Sequence, residues 1–290
     1  MSCLSKMAED QMQLQRHELK YLISEAVAVE IRHFIASFLE IDEFGASRPD
    51  LSYPVHSLYL DSPLLATYWH TINGDKNRYK LRVRFYDDRP ESPVFLEIKR
   101  RMNDAILKQR GALRRGFIDS FLNGQLPDSS MIASKDPKQA GAVMRFHGLM
   151  LKHQARPTAH VSYMREAWIS PHDNSIRVTM DRNVLCGPES TTLFKSEVND
   201  PVCVFGRKVV LELKFTGRFP NWFRDLVQSF GLMQCSAAKY ADGIALKGER
   251  FFSDSIYAGS PASDSLILRD KRIAELGVNQ SESGKSPHQE

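Results

Sequence analysis

RYKLRVRFYDDRPESPVFLEIKRR, residues 78–101, reads as two strands joined by a polar turn. On the first strand Arg78, Lys80, Arg82 and Arg84 share one face, and Leu81, Val83 and Phe85 share the other. On the second, Glu97, Lys99 and Arg101 lie opposite Leu96 and Ile98. Side chains alternate across a strand with period 2, so each strand has a charged face and an apolar face. Like charges held together repel unless something anionic lies between them. Solvent with its counterions meets that need, and so does a polyanionic substrate.

The same pattern recurs on both sides. Gln15–Ile23 is expected as a strand with Glu18 and Lys20 on one face and Leu19 and Tyr21 on the other. Ser24 caps a helix to about Glu40, with Val27, Ile31, Phe34, Ile35 and Phe38 at helical spacing. Val55–Leu60 is the next strand, and Pro63 suits the first turn of a short helix to about Ile72. Ala105–Arg115 is a third cationic strand. Lys108 and Arg110 share its face, and Gly111 marks a bulge or bend. Residues 116–152 read as helical segments with a disordered loop near Pro127–Pro137. Strands return at Pro157–Ile169, with Tyr163, Arg165 and Ala167 on one face, and at Ser175–Val184, with Arg177, Thr179 and Asp181. VVLELKF at 209–215 sets Glu212 and Lys214 opposite Leu211, Leu213 and Phe215. A helix follows Pro220, and SAAKYADGIAL at 236–246 is a helical turn carrying Lys239. The expected division is a disordered leader at 1–13, one domain over 14–255, and a largely disordered tail at 256–290 with a transient helix near Leu266–Leu276.

Composition narrows the function classes. A net charge of +4, with 42% hydrophobic and 26% charged residues, is ordinary for a globular chain and too mild for a dedicated nucleic-acid binder. No window approaches 18 uninterrupted apolar residues, so no membrane insertion is expected, and any membrane link needs a partner protein. The start MSCLSKMAED has no secretory h-region, and Cys3, Cys186, Cys203 and Cys235 show no CxxC spacing. Free thiols and a cytoplasmic location are expected. His17, His56 and His160 lack ligand spacing and read as structural, Tyr21, Tyr59 and Trp168 as core, and Asp181 as a turn or ion-pair residue.

Hairpin-length connections between most strands predict an antiparallel α+β protein. A strand with one charged face is ordinarily half-buried with its charges in water. Recurrence on at least six strands, with arginine and lysine rather than Thr, Ser and Gln, instead favours a closed barrel with helices packed outside and charges in its lumen. Confined cations suit phosphate oxygens. Glutamates among them suit a divalent cation that also takes phosphate oxygens.

RHELKYLI, SLYLDSP, KLRVRFY, FLEIKRR, SYMREAW, IRVTMD, LELKF and SAAKYADGI follow one another in this order. Together they resemble the VTC domain, the polyphosphate-polymerase domain of the vacuolar transporter chaperone complex, in a stand-alone bacterial-type form. The resemblance spans about residues 14–250. It implies the fold of the triphosphate tunnel metalloenzymes, an antiparallel β-barrel tunnel. It implies phosphate-binding roles for Lys20, Arg82, Arg84, Lys99, Lys108, Arg165, Arg177 and Lys239, with Arg110 and Lys214 beside them on the same strand faces. Lys20, Arg82, Arg84, Lys99, Arg165 and Arg177 are the catalytic set. Glu212 matches the principal metal ligand, and Glu18 and Glu97 share its charged faces as further candidates for Mn²⁺ or Mg²⁺. The superfamily's ExExK signature is here Arg16, Glu18, Lys20, a departure that counts against a CYTH-type hydrolase and fits the VTC branch.

The expected activity is transfer of the γ-phosphate of ATP to inorganic polyphosphate. The alternatives are a metal-dependent triphosphatase, acting on tripolyphosphate or a nucleoside triphosphate, and a non-catalytic polyphosphate-binding module. The sequence gives no oligomeric state.

Overall fold

The computed structural model describes residues 16–103, 105–171, 175–253 and 263–276. The expected leader at 1–13 and most of the expected tail lie outside them.

Ten strands form one antiparallel sheet: β1 (Arg16–Ile23), β2 (Glu40–Ile41), β3 (Ser52–Asp61), β4 (Asn77–Phe85), β5 (Val94–Met102), β6 (Ala105–Leu113), β7 (Arg156–Ile169), β8 (Ile176–Pro188), β9 (Val202–Cys203) and β10 (Val209–Thr216). The strand order is β1-β10-β8-β7-β3-β4-β5-β6, with β2 on β7 and β9 on β8. Helices surround it: α1 (Glu25–Ile35), α2 (Glu43–Ala46), α3 (Ala66–Ile72), α4 (Ile118–Leu122), α5 (Pro137–Lys152), α6 (Asn221–Ser229), α7 (Lys239–Lys247) and α8 (Ser263–Leu276).

The period-2 pattern sorts the layers. Leu81, Val83, Leu96 and Ile98 turn outward and pack beneath Val143, Phe146 and Met150 of α5. Tyr21, Val209, Leu211, Leu213 and Val178 pack beneath α1 and α6. Burying each such aliphatic side chain stabilises the fold by about 1.5–3 kcal/mol. The charged faces of the same strands are thereby turned to the concave side, which the register stacks into levels. Arg82 pairs with Glu97 and Glu97 with Arg110, and one level along Lys80 pairs with Lys99 and Lys99 with Lys108.

A closed barrel was expected, and among the described residues the sheet is not closed. β1 and β6 lie against each other without a shared ladder. Both edges carry lumen cations, Lys20 on one and Lys108 and Arg110 on the other, and a ladder would set these like charges side by side. The seam is crossed by side chains instead: Lys99 Nζ reaches Glu18 Oε2 at 3.0 Å.

Four smaller expectations change. Gly111 lies in an unshifted register and is no bulge. A Cβ there would come 2.5 Å from Gln139 O, so glycine lets α5 approach β6 closely. The short helix begins at Ala66, after a turn containing Pro63, with Leu65 left-handed at φ 55°. The loop at 127–137 is packed: Met131 is buried, and Ile132 bridges to Leu113. In the tail, α8 is docked, with Leu276 buried and Arg272 paired to the buried Asp242 of α7.

Candidate functional site

The concave side of the sheet holds one cavity of about 1610 Å³, lined from Arg78 and Lys80 at one set of strand ends to Arg177 and Lys214 at the other. The charged side chains that its strands contribute are placed by strand parity, and Lys239 comes from α7. Lys20, Arg82, Arg84, Lys99, Lys108, Arg110, Arg165, Arg177, Lys214 and Lys239 all line it, as do Glu18 and Glu212. The residues expected at the site are therefore brought together.

Three carboxylate centres organise these cations. Glu97, buried at 1% exposure, lies 2.6 Å from Arg82 and 2.8 Å from Lys108, with Arg110 at 3.8 Å and Arg84 at 4.0 Å. Burial opposes its charge, yet Arg82 and Arg84 hold the carboxyl well below the usual range. The second centre joins Asp181 and Glu212. Arg165 donates to both oxygens of Asp181 at 2.7 and 2.8 Å, and Lys239 meets Asp181 at 2.8 Å and Glu212 at 2.9 Å. Glu212 also pairs with Lys214 and, at 3.7 Å, with Lys20 and Arg165. Against burial, Lys214 and Lys239 hold the Glu212 carboxyl far down, and Asp181 and Glu212 hold Lys239 up. The third centre is Glu18, set between Lys99 and Lys20, which keep it ionised despite its burial.

Lys239 reaches this network because α7 lies close to β8. A Cβ on Gly243 would come 2.5 Å from the Cβ and Sγ of Cys186. Asp61 fixes the same helix from the other side by accepting from Tyr240 Oη at 2.7 Å, and the Tyr240 ring stacks on Tyr59 at 4.6 Å.

Cations outnumber these carboxylates, and two are poorly matched. Arg84 is buried and donates to Tyr163 Oη at 3.0 Å, but its Nε has no hydrogen-bond partner. Arg177 donates to Asp42 at 3.1 Å and leaves its own Nε unpartnered. Buried guanidinium hydrogens without acceptors are costly and are the groups a phosphate oxygen would satisfy.

The expected metal ligands separate into two kinds. Glu18 and Glu212 both face Lys20, at 3.3 and 3.7 Å, so two carboxylates share one wall. That donor set fits Mg²⁺ or Mn²⁺ which completes its shell with phosphate oxygens and water. Glu97 does not join this pair; like Glu18 and Glu212 it is held by cations, Arg82 at 2.6 Å and Lys108 at 2.8 Å. Among the described residues no three acidic, histidine or cysteine side chains form a metal cage by themselves.

Lys80, Arg78, Tyr59 and Tyr163 line the cavity although the expected site omits them. Lys80 and Arg78 were visible by parity with Arg82. Tyr163 was visible by parity with Arg165, whereas Tyr59 carried only an aromatic signal, which favours core packing. Asp181, expected as an ion-pair residue, is one, as the partner of Arg165 and Lys239.

The fold and cavity define an antiparallel sheet whose concave side forms a cation-lined cavity with acidic residues set among the cations. Residues 15–247 match the model of the VTC domain, and the chain belongs to that family. Among solved structures it is similar to a candidate adenylate cyclase from Bacillus halodurans, at 13% identity and TM-score 0.43 over 83% of this chain and 100% of that one. It is also similar to the Mimivirus capping-enzyme triphosphatase, at 11% identity and TM-score 0.33 over 79% of this chain and 94% of that one.

Proposed function

We propose that the chain is a polyphosphate polymerase that moves the γ-phosphoryl group of ATP onto an inorganic polyphosphate chain lying in the tunnel. The observation that carries this reading is the length of the cationic cavity. Arg78, Lys80, Arg82 and Arg84 alone cover about 20 Å of β4, at roughly 6.7 Å for each pair of residues. That run exceeds a nucleotide's triphosphate and suits a longer linear anion. VTC-family membership supports the same substrate class.

The residues divide the work by position. Arg82, Arg84 and Lys108 bind phosphate oxygens around the level of Glu97, which balances their charge in the empty tunnel. Arg165, Lys20, Lys214 and Lys239 do so around Glu212. A terminal oxygen of the acceptor chain attacks the γ-phosphorus in line, the bond to the β-phosphate oxygen breaks, and ADP leaves while the polymer gains one unit. Such transfer is catalysed by positioning and charge neutralisation and needs no protein nucleophile. Glu212 and Glu18 are the residues that would hold a divalent ion, which when bound would further neutralise charge on the phosphate oxygens. Use of ATP fits a cytoplasmic setting. Among the described residues no helix is long and apolar enough to cross a membrane.

The test is ATP turnover by the Glu212→Ala variant and by wild type treated with a chelator. Both are expected to lose at least 100-fold in rate, the scale of a lost charge-stabilising group. Full metal-dependent turnover by the variant would remove Glu212 from the site.

A further inference from the structure

Lys80 differs from the cavity lysines that are set around the three carboxylate centres. Lys20, Lys99, Lys108, Lys214 and Lys239 each have a carboxylate within 4.0 Å. Among the described residues the Lys80 side chain has no hydrogen bond or ion pair, and its Nζ lies over the Tyr240 ring, 5.7 Å from the centroid. The register sets Lys80 directly opposite Lys99, and both line the cavity with Lys20 and Arg78.

We propose that Lys80, with Lys20 and Lys99, forms a phosphate subsite for a linear polyanion, in which Lys80 supplies the charge that the protein itself leaves unmatched. The inference rests on the polyanion reading of the tunnel and adds a residue to it. A phosphate placed among these three ammonium groups would receive charge-assisted hydrogen bonds from Lys80, while Glu18 keeps Lys20 and Lys99 in place.

The electrostatics of the empty site agree with the geometry. Burial, reinforced by Lys20 and Lys99 and by Arg78, pushes the Lys80 ammonium down to about 7, and Asp242 of α7 offsets this only in part. Glu18 faces Lys20 and Lys99 rather than Lys80, Glu97 faces Arg82 and Lys108, and Tyr240 presents its ring face. At pH 8 Lys80 in the empty site is therefore partly deprotonated, and a bound polyanion draws a proton onto it.

The experiment is titration calorimetry of the full chain with inorganic tripolyphosphate at pH 8, in buffers of different ionisation enthalpy. Three proteins are compared: wild type, Lys80→Gln and Lys80→Arg. Tripolyphosphate has its own proton linkage, which is common to all three. Lys80→Gln is expected to bind 10- to 100-fold more weakly. Lys80→Arg, charged at every accessible pH, is expected to keep affinity within about threefold of wild type while taking up measurably fewer protons. Unchanged affinity in Lys80→Gln with unchanged proton uptake in Lys80→Arg overturns the subsite. Absence of tripolyphosphate binding by wild type overturns the polyanion reading itself. Circular dichroism and melting of each variant separate lost folding from lost binding, and a folded Lys80→Gln with wild-type affinity counts against the proposal.

Discussion

Lys99 on β5 meets Glu18 on β1 at 3.0 Å, across the seam where the two edges of the sheet share no backbone ladder. The seam is thus closed by an ion pair whose lysine is about one-third exposed. Such a pair contributes little to stability, so Lys99→Met should cost under about 1 kcal/mol. Its larger effect should be local. Amide exchange at β1 and β6 should speed up while β3, β4 and β7 stay protected. Equal exchange in all strands would mean that the pair does not hold the seam.

Glu97 is a counter-ion shared by four cations. Removing it leaves Arg82, Arg84, Lys108 and Arg110 without their shared partner. Glu97→Gln should destabilise the empty protein by about 3 kcal/mol, the usual cost of breaking a buried pair. Tripolyphosphate should restore more stability to the variant than to wild type, because phosphate replaces the lost charge. Melting with and without the anion checks this. Loss of metal dependence in a variant that still melts like wild type would return Glu97 to the metal site.

Gly243 sets how far Lys239 enters the tunnel. Gly243→Ala forces a methyl into Cys186 at 2.5 Å and should cost about 1–3 kcal/mol. Turnover should fall further than melting temperature does, since α7 carries Lys239 away from Asp181 and Glu212 as it shifts. A destabilised variant with wild-type turnover per folded molecule would separate α7 packing from the site.

The crowded lysines give the empty protein an unusual pH response. Burial holds Lys80 and Lys108 near 7 and Lys214 near 8, against an ordinary 10.5. Between pH 7 and 8.5 the unfolded chain keeps protons that the folded chain has lost, so stability rises with pH in that window. Lys20 and Lys239 are shifted upward, and their contribution is fully present below 10.5 and constant here. Urea midpoints in a phosphate-free buffer at low salt should increase from pH 7 to 8.5, and saturating tripolyphosphate should flatten or reverse the trend. A midpoint that falls without the anion contradicts these charge states.

Much of this was legible in the chain because parity is local. The faces of Arg82 and Arg84, of Lys99, and of Glu212 and Lys214 follow from period 2 and needed no partner. The environment of Glu97 was not legible, since Arg82, Lys108 and Arg110 converge on it only through two hairpin registers. The seam was hidden for a similar reason: the contact of Lys99 with Glu18 spans 81 positions. Gly111 carried a signal for broken regularity but none for its cause, and the neighbour that requires it is the Gln139 carbonyl of α5. Lys80 was visible on its face, yet its lack of a partner is a property of the whole tunnel.

The most direct test of the polymerase reading follows three products in one reaction. The purified chain is incubated with ATP and Mn²⁺, and ADP, free phosphate and acid-labile polymer are measured together. The account predicts ADP matched by polymer, with little free phosphate. ADP matched by free phosphate without polymer would contradict it and make water the acceptor in the tunnel.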